Sequence, residues 1–143
     1  MDSFRCFGEL FLDDAEYICR ELMFDVLPCV DLSKVKDEIS NTTLGFSFAQ
    51  HPENHLSKAY LELSGRACTT RRKGLLREGR WNWKAIFLYL KEVELLLQAM
   101  AGIFYLFGGQ VPRITELFGL ECENSPASIR GLYVYSAQIV YLV

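Results

Sequence analysis

The feature that most constrains this chain is the apolar run from Trp83 to Phe107. Asn82 precedes it as a candidate N-cap, and Gly108-Gly109 follows it. Lys84, Lys91, Glu94 and Gln98 fall on one narrow stripe at helical spacing, with Glu92 beside it. Ile86, Phe87, Leu90, Val93, Leu97, Met100, Ala101 and Phe104 occupy the rest. That pattern predicts one long helix, apolar almost all round, so the expectation is a nearly buried core helix. A membrane span is the competing reading, but it needs about 20 apolar residues. The stretch free of charged and amide side chains begins only after Gln98, so no membrane partner is expected.

The glycines stop the helix, because glycine takes a positive φ without steric cost. Pro112 suits the first turn of a new helix, which places Arg113 in that opening turn. Ile114 or Phe118 would face inward with Leu117 and Leu120. A guanidinium at a helix mouth beside a glycine turn suits anion or phosphate binding. The plainer alternative is an i,i+3 pair between Arg113 and Glu116, worth roughly 0.2–0.5 kcal/mol.

The stretch Arg113-Ile114-Thr115-Glu116-Leu117-Phe118-Gly119-Leu120, preceded by a glycine turn, resembles the first arginine box of tyrosine recombinases. The longer turn with Gln110, Val111 and Pro112 is similar to a fungal branch of that family. The branch includes mobile-element recombinases and the region upstream of telomere-linked RecQ-type helicases. The segment Gly45-Phe46-Ser47-Phe48-Ala49-Gln50-His51-Pro52-Glu53-Asn54 is similar to another stretch of the same branch. The resemblance covers residues 44–143, and only the arginine box is sharp.

The resemblance implies that Arg113 matches a catalytic arginine that grips the scissile phosphate. It implies that Glu116 is a buried, paired structural residue. It also implies a helical, core-binding-like region over 1–80 and a truncated catalytic fragment over 81–143, in a nuclear protein. The family's chemistry needs a tyrosine nucleophile, several cations and a general acid. The hairpin lysine has no match, since no lysine follows Lys91, and both histidines precede Arg113. The later His/Arg and tyrosine boxes are missing. The expectation is therefore a DNA-binding fragment without strand-transfer activity and without a cofactor.

Charge supports a nucleic-acid face on one half only. Residues 1–62 hold 12 acidic and 5 basic side chains, a balance of −7; residues 63–143 hold 6 and 10, a balance of +4. The basic side chains cluster as Arg66, Arg71, Arg72, Lys73, Arg77 and Arg80 against the single acid Glu78. These six are the candidate DNA-binding residues, as a phosphate-backbone patch on a loop and short helix. The alternative is a solvated basic face or linker.

The remaining stretches are less pointed. Asp2, Arg5 and Glu9 break any signal-peptide core, and five cysteines without a Cys-x-x-Cys pair read as reduced intracellular thiols, each expected as a small buried side chain. Residues 1–12 read as an irregular or helical lead-in, with Asp13 or Asp14 capping a helix that Pro28 ends. Asp31 or Ser33 can cap a second short helix through Ile39, and residues 40–43 read as a polar linker. Phe46 and Phe48 form a strand fragment or a loop plug. His51 and His55 stand four apart, but Pro52 lies between them and no third ligand is spaced for a metal. Ser57 caps a helix over 57–68. Trp81 and Trp83 read as core or interface anchors rather than base-stacking platforms.

Residues 129–135 and 138–143 alternate like two strands joined at Ser136-Ala137. The fold class expected is mainly α with a C-terminal β-hairpin. An unpaired edge strand would permit self-association, so the alternative function is a small helical protein-interaction module without a nucleic-acid role.

Overall fold

The structure is a computed structural model. It describes residues 2–71, 73–107 and 113–142, with side chains left aside at 2–7, 114 and 118. The chain is mainly helical and carries a C-terminal β-hairpin, as its periodicity predicts. It gathers into two compact units, each built from two separate stretches: Met1–Pro28 with Leu61–Val111, and Cys29–Tyr60 with Pro112–Val143. Each unit thus draws on both 1–80 and 81–143.

The first unit is organised by two long helices, α1 (Asp2–Leu22) and α3 (Trp83–Phe107). They run antiparallel. Gly8 meets the Phe107 ring, Gly102 meets the Phe11 ring, and Phe24 stacks on Tyr89. A Cβ on Gly102 would lie 3.0 Å from the Phe11 ring, so the missing side chain lets the aromatic seat against the helix backbone. Leu22 and Ala99 are buried in this unit.

Two expectations fail here. There is no break before Asp13: the lead-in and the helix are one element. The apolar period simply continues through both aspartates, which stand exposed mid-helix. The helix ends at Leu22, ahead of Pro28, because Phe24 and Asp25 take left-handed φ values of 54° and 64°.

More consequential is α3. It is not a nearly buried core helix, since one α-helix covers only one side of it. Trp83, Phe87, Leu90 and Leu97 are exposed, at 63%, 68%, 56% and 61%. No helix among the described residues is long and apolar enough to cross a membrane. α2 (Ala59–Thr69) and a short hairpin of β1 (Leu76–Arg77) and β2 (Arg80–Trp81) complete the unit.

The second unit holds α4 (Ile114–Phe118) and the hairpin of β3 (Leu132–Tyr135) and β4 (Gln138–Tyr141). Leu132 pairs with Tyr141, and Tyr135 with Gln138, around the Ser136-Ala137 turn. Before them the chain makes single 3₁₀ turns: Leu32–Lys34, Phe48–Gln50, Pro52–Asn54 and Leu56–Lys58. The helix expected through Ile39 is therefore one turn, capped by Asp31, whose carboxylate accepts the Ser33 N–H at 3.1 Å.

The centre of this unit is polar. Arg130 is fully buried, with its guanidinium carbon 5.0 Å from the Phe46 ring centre and 4.6 Å from that of Tyr133. Such stacking suits a desolvated guanidinium. Phe46 is thus a loop plug and not a strand residue. Asn124 ties three segments together. Its amide donates to the carbonyls of Asn41 and Thr43, both at 2.9 Å, and its side-chain oxygen accepts the Arg130 N–H at 3.1 Å. Residues 40–43 are therefore a docked loop, since a buried asparagine needs those carbonyls as acceptors.

Candidate nucleic-acid interface

The described part of the basic run folds into a corner of the first unit. At the end of α2 the hydroxyls of Thr69 and Thr70 donate back to the carbonyls of Gly65 and Arg66, at 2.9 and 2.8 Å. The chain then turns under the helix. Leu75 N–H donates to Ala67 at 2.7 Å, and a Cβ on the buried Gly74 would lie 2.1 Å from the Thr70 carbonyl oxygen. Only glycine fits there.

The hairpin follows at once. Glu78 and Gly79 take φ values of 53° and 75°, the left-handed pair of a type I′ loop. That turn sets Arg77 directly opposite Arg80, and Leu76 opposite Trp81. Asn82 closes the base by donating its N–H to Leu75 at 2.8 Å, and its side-chain oxygen accepts from Ala85 at 3.3 Å to cap α3. The sequence cap is thus where it was expected. Sequence reasoning missed this hairpin, whose signal is the two-residue Glu78-Gly79 turn with Leu76 and Trp81 one position outside the flanking arginines.

The six candidate cations divide sharply. Arg66 is spent within the unit: it pairs with Glu62 and donates to the Val26 carbonyl at 2.9 Å. Lys73 pairs with Glu21. Arg72 lies outside the described residues. Arg71, Arg77 and Arg80 are exposed and form no ion pair among the described residues. An open cleft of about 260 Å³ is lined by Thr69, Thr70, Arg71, Arg77, Glu78 and Asn82.

Arg113 belongs to the second unit. It stands at the N-cap of α4 with extended backbone (φ −66°, ψ 145°), so the helix starts one residue after it. The Gly108–Pro112 turn lies outside the described residues. Its guanidinium is 85% exposed and lies 3.9 Å from Glu116, whose other carboxylate oxygen accepts the Arg113 N–H at 2.8 Å. Glu116 is 40% exposed, so its expected burial does not hold. It does half of a capping box, binding a helix-end donor. This is the i,i+3 pair that spacing alone allows.

The two histidines, read from the sequence as ordinary loop residues, lie among the 3₁₀ turns of the second unit. His51 packs edge-on to Phe46 and accepts the Glu53 N–H through Nδ1 at 3.3 Å. His55 takes the left-handed φ of 55° between two 3₁₀ turns. No cluster of three potential metal-binding side chains occurs among the described residues. Cys29, Cys68 and Cys122 are exposed and Cys19 half-buried, contrary to the expectation of buried thiols; all four are free. The Cys6 side chain lies outside the described ones. Exposed placement follows from loops and a helix end for three of them. Trp81 and Trp83 are exposed rather than core.

Compared with known protein families, characterised proteins and solved structures, the chain matches none.

Proposed function

We propose that this chain is a nucleic-acid-binding module that grips a phosphate backbone through Arg71, Arg77 and Arg80. The observation that carries the reading is the Arg77–Arg80 rung. Like charges directly opposite on a two-stranded ribbon oppose folding. The surrounding unit neutralises Arg66 and Lys73, while among the described residues these three cations have no ion-pair partner. A polyanion is the partner that turns such a rung from a cost into a contact.

The resemblance to recombinases lends the reading a DNA partner and a nuclear setting. Strand cleavage is not part of it. Arg113 would meet phosphate as a single exposed cation shared with Glu116, and one arginine does not run that chemistry. Arg130 is sealed from solvent and cannot assist. Fluorescence anisotropy of labelled DNA against salt tests the proposal, with Arg71→Ala/Arg77→Ala/Arg80→Ala as the variant that should lose binding.

A second reading rests on α3. Trp83, Phe87, Leu90 and Leu97 are spaced four, three and seven apart on one exposed helix face. Large apolar faces of this kind mark protein interaction surfaces. Light scattering over a concentration series tests it: growth to a dimer that Phe87→Glu abolishes favours the reading, and a monomer throughout removes self-association.

A further inference from the structure

The first unit has a second cleft, and it shares a wall with the arginine cleft. It measures about 220 Å³ and is walled by Phe24, Ala85, Leu88 and Tyr89, with Asn82, Lys84, Glu92 and the paired Glu21 and Lys73 at its polar side. Asn82 also lines the cleft that holds Arg71 and Arg77.

We infer that this cleft receives one unstacked base of a single-stranded nucleic acid whose backbone runs over Arg71, Arg77 and Arg80. The inference rests on the nucleic-acid reading and names its substrate class. Flat rings are the first ground. Phe24 and Tyr89 lie nearly parallel, 11° apart with centres 6.0 Å apart, and both are only half-buried. A base can extend that stack on an open ring face, and aromatic stacking takes any base.

The second ground is backbone strain. Phe24 and Asp25 are successive non-glycine residues in the left-handed region. Each such residue is costly, and strain of this kind gathers where a side chain must be aimed. The turn closes α1, with the Asp25 N–H donating to the Arg20 carbonyl at 2.9 Å, and Phe24 stands within it beside Tyr89.

The polar side matches a base edge and a phosphate. The Asn82 oxygen is taken by the Ala85 N–H, which leaves its amide N–H groups to donate to a base carbonyl. The Glu92 carboxylate can accept from an exocyclic amine. Lys84 has no ion pair among the described residues and can meet the adjoining phosphate. Burial, and then the Glu92 charge, push the Tyr89 phenol above the usual tyrosine range, so its ring stays uncharged for stacking. Duplex DNA cannot use the cleft, because its bases are already stacked and paired.

The test compares two single-stranded DNA oligonucleotides of equal length and charge with the full chain, one bearing bases and one abasic throughout. The base-bearing strand is expected to bind roughly 5- to 100-fold more tightly. Tyr89→Leu should erase that ratio, Tyr89→Phe should keep it, and Arg77→Ala should weaken both strands alike. Equal binding of both strands by the unaltered chain, with a normal salt slope, overturns the base site and leaves the backbone reading standing. No binding of either strand overturns both.

Discussion

Arg130 Nη2 lies 2.7 Å from Asp37 Oδ1, and neither side chain reaches solvent. The two residues come from opposite ends of the sequence of their unit. The pair is the hub on which that unit closes. That contact is an ion pair without hydrogen-bond geometry; Asp37 Oδ2 accepts the Val134 N–H at 2.9 Å, and Arg130 Nη2 donates to the Glu38 carbonyl at 2.9 Å. Nε and Nη1 have no acceptor among the described residues, and the guanidinium lies over aromatic rings instead. Breaking such a pair leaves an uncompensated buried charge. Asp37→Asn is therefore expected to cost about 3–5 kcal/mol in urea unfolding. A loss below about 1 kcal/mol would mean that the guanidinium is solvated by water instead.

Gly74→Ala tests the corner that carries the cations. Its Cβ would meet a backbone carbonyl, which cannot swing aside as a side chain can. The expected cost is about 1–3 kcal/mol, with weaker DNA binding as the loop holding Arg71 shifts. Ala at Gly65, where a Cβ meets nothing within 4 Å, is the matched control and should be neutral or better in the same melt.

The β3–β4 turn is built from the wrong residues for its shape. Ser136 and Ala137 both take positive φ, 50° and 61°, where Asn-Gly is preferred. Replacing them by Asn and Gly should stabilise the second unit by about 1 kcal/mol. An unchanged unfolding midpoint would show that the turn stores no strain.

Glu53 supplies a pH prediction. Its hydrogen bond from Lys36, and then the Lys36 charge, hold its carboxyl below the usual glutamate range. A folded value below the unfolded one means that the tie is complete above the unfolded value. It is lost as pH falls through the folded one. An NMR titration should place the Glu53 midpoint below that of an ordinary glutamate, and Lys36→Met should return it there.

What the sequence carries and what it hides follow from how local each signal is. The α3 helix, its Asn82 cap and the β3–β4 hairpin rest on periodicity and turn chemistry within a few residues, and they stand where reading the chain puts them. The burial of α3 depends on how many neighbours cover it, which no pattern within the helix states. The burial of Arg130 has no local signal, because its partner Asp37 lies far up the chain and neither belongs to a motif. The basic cluster was visible as charge. That Arg66 and Lys73 are neutralised by Glu62 and Glu21 was legible only in part, since Glu62 stands four residues before Arg66 while Glu21 is remote.

The central claim is that Arg71, Arg77 and Arg80 hold nucleic acid. The most direct measurement is the affinity for single-stranded DNA by fluorescence anisotropy across a salt series, for the unaltered chain and for Arg71→Ala/Arg77→Ala/Arg80→Ala. Three phosphate contacts should give a slope of about −2 in log affinity against log salt. The triple variant should lose most of both affinity and slope, while Arg66→Ala should change little beyond stability. Binding with no salt dependence, binding that survives the triple change, or no binding at low salt would contradict the claim.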